Sequence, residues 1–313
     1  MPRSRSRTAP VILVTGVNGQ VRFELVRELA PLGDVVAASR ADLDLSDADE
    51  IRAAVRRLRP DTIVNAGAYT AVDKAESESA LCFAVNGHAP GILAEEARSI
   101  RCALIHYSTD YVFDGRTSRP YAEGDPTAPL NTYGESKLAG ERAIEAAGGS
   151  WIVLRTSWVY GGPKGNFVTT MLRLARERDE LRVVDDQIGA PTWSRSIAAV
   201  TAQILSMTKT SDGFAAGIGA ASGIYHLTSS GTTSWHGFAA AILTEDPARH
   251  EQRCRRIVAI PTEQYPTPAR PRWSVLSSDK LASRFGVRLP SWDSQLRLHL
   301  RPFGDVASTV NGL

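Results

Sequence analysis

The sequence predicts an α/β protein of the Rossmann type: a doubly wound parallel sheet with a smaller, discontinuous substrate-binding lobe. Short apolar runs alternate with amphipathic stretches through the first half of the chain. This alternation is typical of parallel sheets whose two faces are covered by helices. The first apolar run also leads through a glycine-containing turn into a helical pattern, which is the arrangement that binds dinucleotides.

The elements of the first half follow from hydrophobic periodicity. Continuous apolar runs predict buried strands at Val11–Thr15, Asp34–Ala38, Asp61–Asn65, Cys102–Tyr107 and Trp151–Arg155. Amphipathic stretches between them predict helices at Gln20–Leu32, Asp47–Leu58, Ala80–Ser99 and Thr132–Ala147. We therefore expect a Rossmann domain over residues 9–165, which the glycine turn and the end of the second strand assign to NADP(H) binding, preceded by a disordered tip over residues 1–8.

The regular alternation of strand and helix patterns ends in the second half of the chain. Helical patterns at Asn166–Asp179 and Trp193–Met207 are followed by Thr208–Gly223, whose Gly, Ser and Ala content is typical of a surface loop. Pro261–Pro271 predicts an ordered but irregular segment, because proline fixes φ and lacks an amide donor. Residues 166–313 are expected to form mainly the substrate-binding lobe, with some elements returning to the first domain.

Composition narrows the class of protein. The 313 residues are 43% hydrophobic, and 36 Lys and Arg nearly balance 34 Asp and Glu, so no global charge favours nucleic acid or an anionic membrane. The three cysteines lie far apart without CxxC spacing, which fits a reducing compartment. No apolar run approaches the ~18 residues that span a bilayer. We expect a cytoplasmic protein with neither a membrane nor a nucleic-acid partner.

The turn after the first strand contains Gly16 and Gly19. Its backbone amides lie at the start of a helix, where unpaired donors and the helix dipole favour a pyrophosphate, so Gly19, Gln20 and Val21 are the expected cradle. Arg22 occupies the position of the usual third glycine. Its side chain must point away, reach the pyrophosphate, or force helix and strand apart, and an ordinary strand-turn-helix remains the alternative. We expect cofactor binding to be retained.

The second strand ends at Ser39 and Arg40, where NAD-binding proteins usually place an acid for the ribose 2′-hydroxyl. A guanidinium at this position pairs well with a 2′-phosphate, which favours NADPH. A merely solvated Arg40 is the alternative. Asp42 or Asp44 remain candidates for contacts to the adenosine, so NADH is also a possible cofactor.

Tyr133 and Lys137 are four residues apart and share one face of a predicted helix. An ammonium beside a phenol lowers the phenol's pKa, which suits a proton donor to an alkoxide, although the same pair occurs on exposed helices. The fourth strand leads into Thr109 and Asp110, at the edge of the sheet where such folds bind ligands. Asn65 and the small residues after it end the third strand at the same edge.

Together these blocks resemble the extended short-chain dehydrogenase/reductase superfamily and, within it, the dTDP-4-dehydrorhamnose reductases of L-rhamnose biosynthesis. The resemblance spans nearly the whole chain. It is carried by the glycine turn, by the Asn65 block and by the segments His106–Phe113, Pro129–Glu141, Arg155–Tyr160, Asp186–Thr192 and Pro266–Pro271.

The resemblance implies that Thr109, Tyr133 and Lys137 are catalytic. NADPH would deliver hydride to C4 of dTDP-4-dehydro-L-rhamnose, Tyr133 would protonate O4, and Lys137 would tune Tyr133 and hold the nicotinamide ribose. Asp110, Tyr111 and Trp158 match substrate-binding positions, with a strand-end cap and core filling as the alternatives. The expected cofactor contacts are Gly16, Gly19, Gln20, Val21, Ser39, Arg40, Asp44, Leu45, Ala68, Tyr69, Thr70, Tyr133 and Lys137.

Other activities of the superfamily stay open to different degrees. Asp110 is followed by Tyr111 where the dehydratases usually have an acid, and epimerases are disfavoured only by the blocks of the second lobe. A non-catalytic regulatory subunit of the same fold is the alternative from another class.

Some members of the family dimerise through a magnesium site built from glutamates. Glu24 matches one ligand but Arg195 stands at another, so we expect no metal and either a monomer or a metal-independent homodimer.

Overall fold

The computed structural model describes residues 9–16, 19–163 and 165–301. The predicted disordered tip, together with Val17 and Asn18 of the glycine turn, lies outside the described residues. The central sheet has six parallel strands in the order β10-β5-β4-β3-β1-β2, which confirms the predicted fold class. Its strands are β1 (Val11–Thr15), β2 (Asp34–Ala37), β3 (Thr62–Asn65), β4 (Ala103–Thr109), β5 (Ser150–Thr156) and β10 (Gly223–His226).

The connections are made by helices and short strands. The helices are α1 (Gln20–Leu29), α2 (Ala48–Leu58), α3 (Val72–Ala75), α4 (Ser79–Phe83), α5 (Ala89–Ser99), α6 (Thr132–Ala147), α7 (Phe167–Glu177), α8 (Ser194–Thr208), α9 (Phe214–Gly219), α10 (Trp235–Thr244), α11 (Asp279–Phe285) and α12 (Trp292–Leu300). The remaining strands are β6 (Val159–Tyr160), β7 (Glu180–Val184), β8 (Ile188–Gly189), β9 (Thr192–Trp193), β11 (Thr233–Ser234) and β12 (Arg256–Ile260). Within the described ranges, none of these helices has the length and hydropathy that crossing a bilayer requires.

Two hydrophobic cores cover the two faces of the sheet. On one face, side chains of α1 and α8 pack with α9 and α11 against β1 and β4. On the other face, α2 and α5 pack with the end of α6 against β3 and β4. The strands therefore have apolar residues on both sides, as expected of a parallel sheet covered by helices.

The elements of the second half of the chain belong to two different hydrophobic cores. β10, α8, α9 and α11 belong to the core of the first domain. The parallel pair β7 and β12 packs with α7, α10 and α12 around a separate core that contains Phe238, Met171 and Leu296. The elements that return to the first domain thus lie between segments of the smaller lobe.

Two local predictions differ from the structure. The segment Thr208–Gly223 is not simply a surface loop, because it contains α9, whose Phe214 and Ile218 are buried. Small residues let this short helix pack closely against its neighbours. The single helix predicted over Ala80–Ser99 is interrupted by a π-helical turn at Ala84–His88, a feature that often occurs at functional sites.

Candidate active site

The glycine turn lies at the carboxyl end of β1, beside the loop that follows β3. Gly16 has φ +88°, and a Cβ atom there would lie 2.6 Å from the Ala66 carbonyl, so a side chain is excluded. The amide of Gly19 donates to the Gly16 carbonyl at 3.0 Å. The turn thereby directs the first amides of α1 towards open space at the edge of the sheet.

Two cavities run along this edge and share Gly16 and Ala68. The larger, of about 420 Å³, is lined by Gly16, Gly19, Gln20, Val21, Ala68, Thr70, Tyr133 and Lys137, among others. The smaller, of about 200 Å³, is lined by Gly16, Ser39, Arg40, Asp44, Leu45, Ala68 and Tyr69, among others. The structure therefore brings every residue expected to contact the cofactor to one continuous groove.

Three further polar atoms in the larger cavity fit a polar ligand. The hydroxyls of Ser108 and Thr156 and the amide oxygen of Gln20 are buried, and none has a hydrogen-bond partner within the described residues. A buried polar atom without a partner is unfavourable until a ligand or water supplies one. Sequence reasoning missed Ser108 and Thr156, although both lie at or next to the carboxyl ends of central strands, which was the available signal.

Arg40 lies at the far end of the groove and is not simply solvated. Its Nε atom donates to the Asp44 carboxylate at 3.0 Å, while 72% of the Arg40 side chain is exposed. The hydroxyl and backbone amide of Ser46 hold Asp44, and these hydrogen bonds keep the pKa of that carboxyl below its usual value. A ligand phosphate at this place would have to share Arg40 with Asp44.

Arg22 points away from the glycine turn. Its Nη2 atom approaches the Ala37 carbonyl, at the end of β2, at 3.5 Å, and its Nε is buried without a hydrogen-bond partner among the described residues. Val21 and Leu25 on the same helix still contact the core of the sheet. Arg22 therefore leaves the pyrophosphate cradle open while filling the space beside β2.

Tyr133 lies at the start of α6, where it meets the segment after β4. Asn131 caps this helix by accepting the Gly134 amide at 2.8 Å, and a Cβ atom at Gly134 would lie 2.3 Å from the Tyr111 carbonyl. This close approach places the ring of Tyr133 5.9 Å from that of Tyr111, edge to face, and brings its hydroxyl to that of Thr109. The predicted catalytic tyrosine and threonine thus lie side by side near the carboxyl end of β4.

Lys137 is 2% exposed and follows Tyr133 by one helical turn. Its Nζ atom donates to the Tyr107 carbonyl at 2.5 Å and lies 3.2 Å from Nε2 of His106. Burial lowers the pKa of the Lys137 ammonium to about 8, against a smaller raising effect of the Glu141 carboxylate. Sequence reasoning missed His106 as a neighbour of the predicted catalytic lysine.

The expected lowering of the Tyr133 pKa is wrong for the protein without bound ligands. Burial raises the pKa of this phenol, and the side-chain interaction with Thr109 opposes that rise only partly. The reason is geometric, because Lys137 directs Nζ to the Tyr107 carbonyl and His106 instead of to the phenol.

The proposed substrate contacts Asp110 and Trp158 have partners of their own. The Asp110 carboxylate accepts the hydroxyls of Thr109 at 2.9 Å and Ser157 at 3.1 Å, and burial raises its pKa to about 6. It therefore orients the Thr109 hydroxyl. Trp158 has φ +47°, which is unusual for a large residue, and stacks on Trp235 at 3.6 Å.

A cavity of about 360 Å³ in the smaller lobe opens beside Trp235. Its lining combines apolar side chains with three arginines and a tyrosine, and includes Phe167, Met171, Val183, Trp235, Tyr265, Arg178, Arg182 and Arg270. Arg182 donates to Gln264 and Arg270 to Asp73. Apolar walls with a few cations suit a ligand that carries both a ring and an anionic group. Sequence reasoning did not single out these residues.

The glutamate positions on α1 are surrounded by arginines. Glu24 lies 3.9 Å from Arg27, and Arg195 lies 3.9 Å from Glu28. Burial raises the pKa of Glu24. Over the part of the chain that the structure describes, no group of three His, Cys, Asp or Glu side chains is arranged to hold a metal ion.

Comparison with known proteins points to one family. Residues 10–304 match the family model described as RmlD substrate binding domain. The dTDP-4-dehydrorhamnose reductase of Burkholderia thailandensis is 51% identical over 294 residues, which cover 93% of this chain and 98% of that protein. The enzyme of the same name from Escherichia coli K12 is 44% identical over 287 residues, covering 90% and 94%. A crystal structure of dTDP-4-dehydrorhamnose reductase from Bacillus anthracis in complex with NADP superimposes with a TM-score of 0.84 at 31% identity, covering 93% of this chain and 99% of that one.

Proposed function

This chain belongs to the dTDP-4-dehydrorhamnose reductase family, and we propose that it uses NADPH to reduce the 4-keto group of dTDP-4-dehydro-L-rhamnose, which gives dTDP-L-rhamnose. The observation that carries the proposal is that Tyr133 and Lys137 line one groove, with Thr109 beside the phenol of Tyr133. A hydroxyl, a phenol and an amine at one cleft suit proton transfer to a developing alkoxide.

The groove supports NADPH as the hydride donor. When bound, this cofactor supplies hydride from its nicotinamide to the carbonyl carbon. Gly16 and Gly19 leave room for the pyrophosphate at the start of α1, and Ser39 and Arg40 lie where the adenosine 2′-phosphate would be. The unpartnered hydroxyls of Ser108 and Thr156 are the proposed contacts for the nicotinamide half.

Tyr133 is the proposed proton donor to O4 of the sugar. Its raised pKa keeps the phenol protonated at neutral pH, as a general acid requires. Thr109 would donate to the same oxygen once its hydroxyl turns from the Asp110 carboxylate, which accepts it at 2.9 Å. Lys137 holds the nicotinamide ribose once it turns from the Tyr107 carbonyl.

The cavity beside Trp235 is the proposed place for the nucleotide of the substrate. Its aromatic walls suit a thymine ring, and Arg182 and Arg270 suit the diphosphate. Trp158, two residues after β5, stacks on Trp235 of this cavity and is the proposed connection to the catalytic groove.

Loss of NADPH absorbance in the near ultraviolet tests the proposal, with dTDP-4-dehydro-L-rhamnose as substrate. Tyr133→Phe is expected to lower kcat by about 10² to 10⁴, since it removes the proton donor while leaving the ring in place. Equal rates in the two proteins would refute the mechanism. Binding of NADPH without turnover by the wild-type protein would favour the regulatory subunit instead.

The cofactor preference is tested in parallel with NADH. Arg40→Ala is expected to weaken NADPH binding while leaving NADH binding nearly unchanged, because only NADPH carries the 2′-phosphate. A wild-type preference for NADH would show that Arg40 serves Asp44 alone.

A further inference from the structure

A row of buried polar side chains crosses the sheet directly beneath the catalytic lysine. Thr15, Asn65 and His106 are register partners on the adjacent strands β1, β3 and β4. They are at most 1% exposed. Because register partners on one face of a sheet are neighbours, their side chains meet one another.

The row is joined by short hydrogen bonds. The Thr15 hydroxyl donates to Oδ1 of Asn65 at 2.6 Å and accepts the Gly67 amide at 3.2 Å. Nδ2 of Asn65 lies 2.9 Å from Nδ1 of His106, and Nε2 of His106 lies 3.2 Å from Nζ of Lys137. The chain of contacts therefore runs from the loop at the cofactor groove to the catalytic lysine.

The contacts of Thr15 determine which way the Asn65 amide points. With Oδ1 towards Thr15, the threonine proton has an acceptor and its oxygen accepts Gly67. With the amide reversed, two N–H groups would point at the threonine oxygen, and its own proton would lose the acceptor. A buried donor without an acceptor is costly, so the first arrangement is favoured.

The orientation of Asn65 in turn selects the tautomer of His106. Burial and the charge of Lys137 hold the pKa of this imidazole well below its usual value, so the ring is neutral and carries one proton. Since the Asn65 amide donates to Nδ1, that proton lies on Nε2 and faces Lys137. A neutral amine accepts from Nε2–H, whereas an ammonium would meet it donor to donor.

We propose that His106 is a positioning residue of the reductase, which holds Lys137 against the Tyr107 carbonyl and favours the neutral form of its amine. Ligand binding that draws the lysine away from His106 would then raise the pKa of its amine. The inference rests on the proposed function for its catalytic consequence, while the hydrogen-bond network itself does not depend on the substrate.

Other charged groups near Lys137 act in different directions. Glu141 on α6 raises the pKa of Lys137, as does Cys82 on α4 to a smaller extent. Tyr133 on α6 stays protonated over this range, because its own pKa is raised by burial. As pH rises, Lys137 is therefore the first member of the catalytic set to lose its proton, and it accounts for the basic limb of kcat/KM.

Histidine NMR detects the tautomer of His106 and therefore tests the hydrogen-bond network directly. In protein labelled with ¹⁵N-histidine and free of ligands, His106 is expected as the Nε2–H tautomer, assigned among the six histidines by comparison with His106→Gln. Asn65→Asp replaces the donor at Nδ1 by an acceptor and is expected to move the proton to Nδ1. An Nδ1–H tautomer in the wild-type protein would overturn the inference, whether or not the protein reduces the proposed substrate.

The pH profile of kcat/KM measures the effect of His106 on the protonation of Lys137. His106→Gln lets the lysine ammonium donate to an amide oxygen, so the basic limb of kcat/KM is expected to move up by about one pH unit. His226→Gln is the matched control, because it removes another fully buried histidine that does not contact Lys137 and is expected to leave the limb in place. A basic limb that does not move in His106→Gln, or moves equally in both variants, refutes the role of His106.

Discussion

The buried ion pair between α6 and β5 gives a prediction about stability and activity together. Glu141 on α6 accepts Nε and Nη2 of Arg155 on β5, at 2.9 and 2.7 Å, and the two side chains are 2% and 3% exposed. The Arg155 guanidinium also lies 5.1 Å from the Phe113 ring. Glu141→Gln keeps the volume but leaves the guanidinium buried without a counter-charge.

Removing one partner of a buried pair costs about 3–5 kcal/mol in the free energy of unfolding, and a cost of this size lowers Tm on the order of 10 °C. The same change removes a negative charge that raises the pKa of Lys137. The basic limb of kcat/KM is therefore expected to move to lower pH, opposite to the shift expected for His106→Gln.

Calorimetry and urea unfolding measure the first effect, and the pH profile of NADPH oxidation measures the second. Glu177→Gln is the matched control, because it breaks an Arg173–Glu177 contact of 2.7 Å whose side chains are 59% and 50% exposed. Such a surface pair contributes about 0.3–0.5 kcal/mol. If Glu141→Gln is no less stable than Glu177→Gln, the buried Arg155 guanidinium does not depend on Glu141 as its counter-charge, and the prediction is refuted.

Two other predictions concern the edge of the sheet. Arg22→Gly is expected to change the Kd for NADPH by less than about threefold in a fluorescence titration, because Arg22 points to the Ala37 carbonyl and not into the cradle. A Kd that falls tenfold or more would show that the arginine obstructs the site. Asp110→Asn is expected to flatten the dependence of stability on pH. The folded protein raises the pKa of Asp110 from 3.8 to about 6, so the stability from the neutral carboxyl is present below pH ~4 and is lost as pH rises through about 6, by about 3 kcal/mol. Urea unfolding at several pH values between 4 and 7 measures this slope, and equal slopes in wild type and variant would contradict the burial of a charged Asp110.

Local sequence signals were sufficient for most of the first domain. The predicted α6 has the observed bounds, because Asn131 and Gly148 mark its two ends in the sequence and act as its caps in the structure. The strands of the first half were placed to within two residues at each end, since each is a short apolar run between polar segments. The resemblance to the dTDP-4-dehydrorhamnose reductases is confirmed by the family model and by relatives that cover most of the chain.

Contacts between distant segments were not accessible in the same way. The return of β10 to the sheet and the packing of α8 against α1 join segments far apart in the chain, and hydrophobic periodicity carries no information about which elements pair. Thr208–Gly223 looked like a loop because its glycines, serines and threonines are weak helix formers, yet packing against the first domain holds part of it as α9.

The sequence by itself determined the fold class and the family. It also predicted most of the residues that meet in the groove, partly from strand ends that converge at one edge of a parallel sheet and partly from the family resemblance, but it did not identify Ser108 and Thr156. Only the tertiary structure decided the electrostatic state of those residues. Lys137 faces His106 and the Tyr107 carbonyl, and burial raises the pKa of Tyr133, because desolvation and hydrogen-bond partners depend on which side chains the fold brings together across β1, β3, β4 and α6.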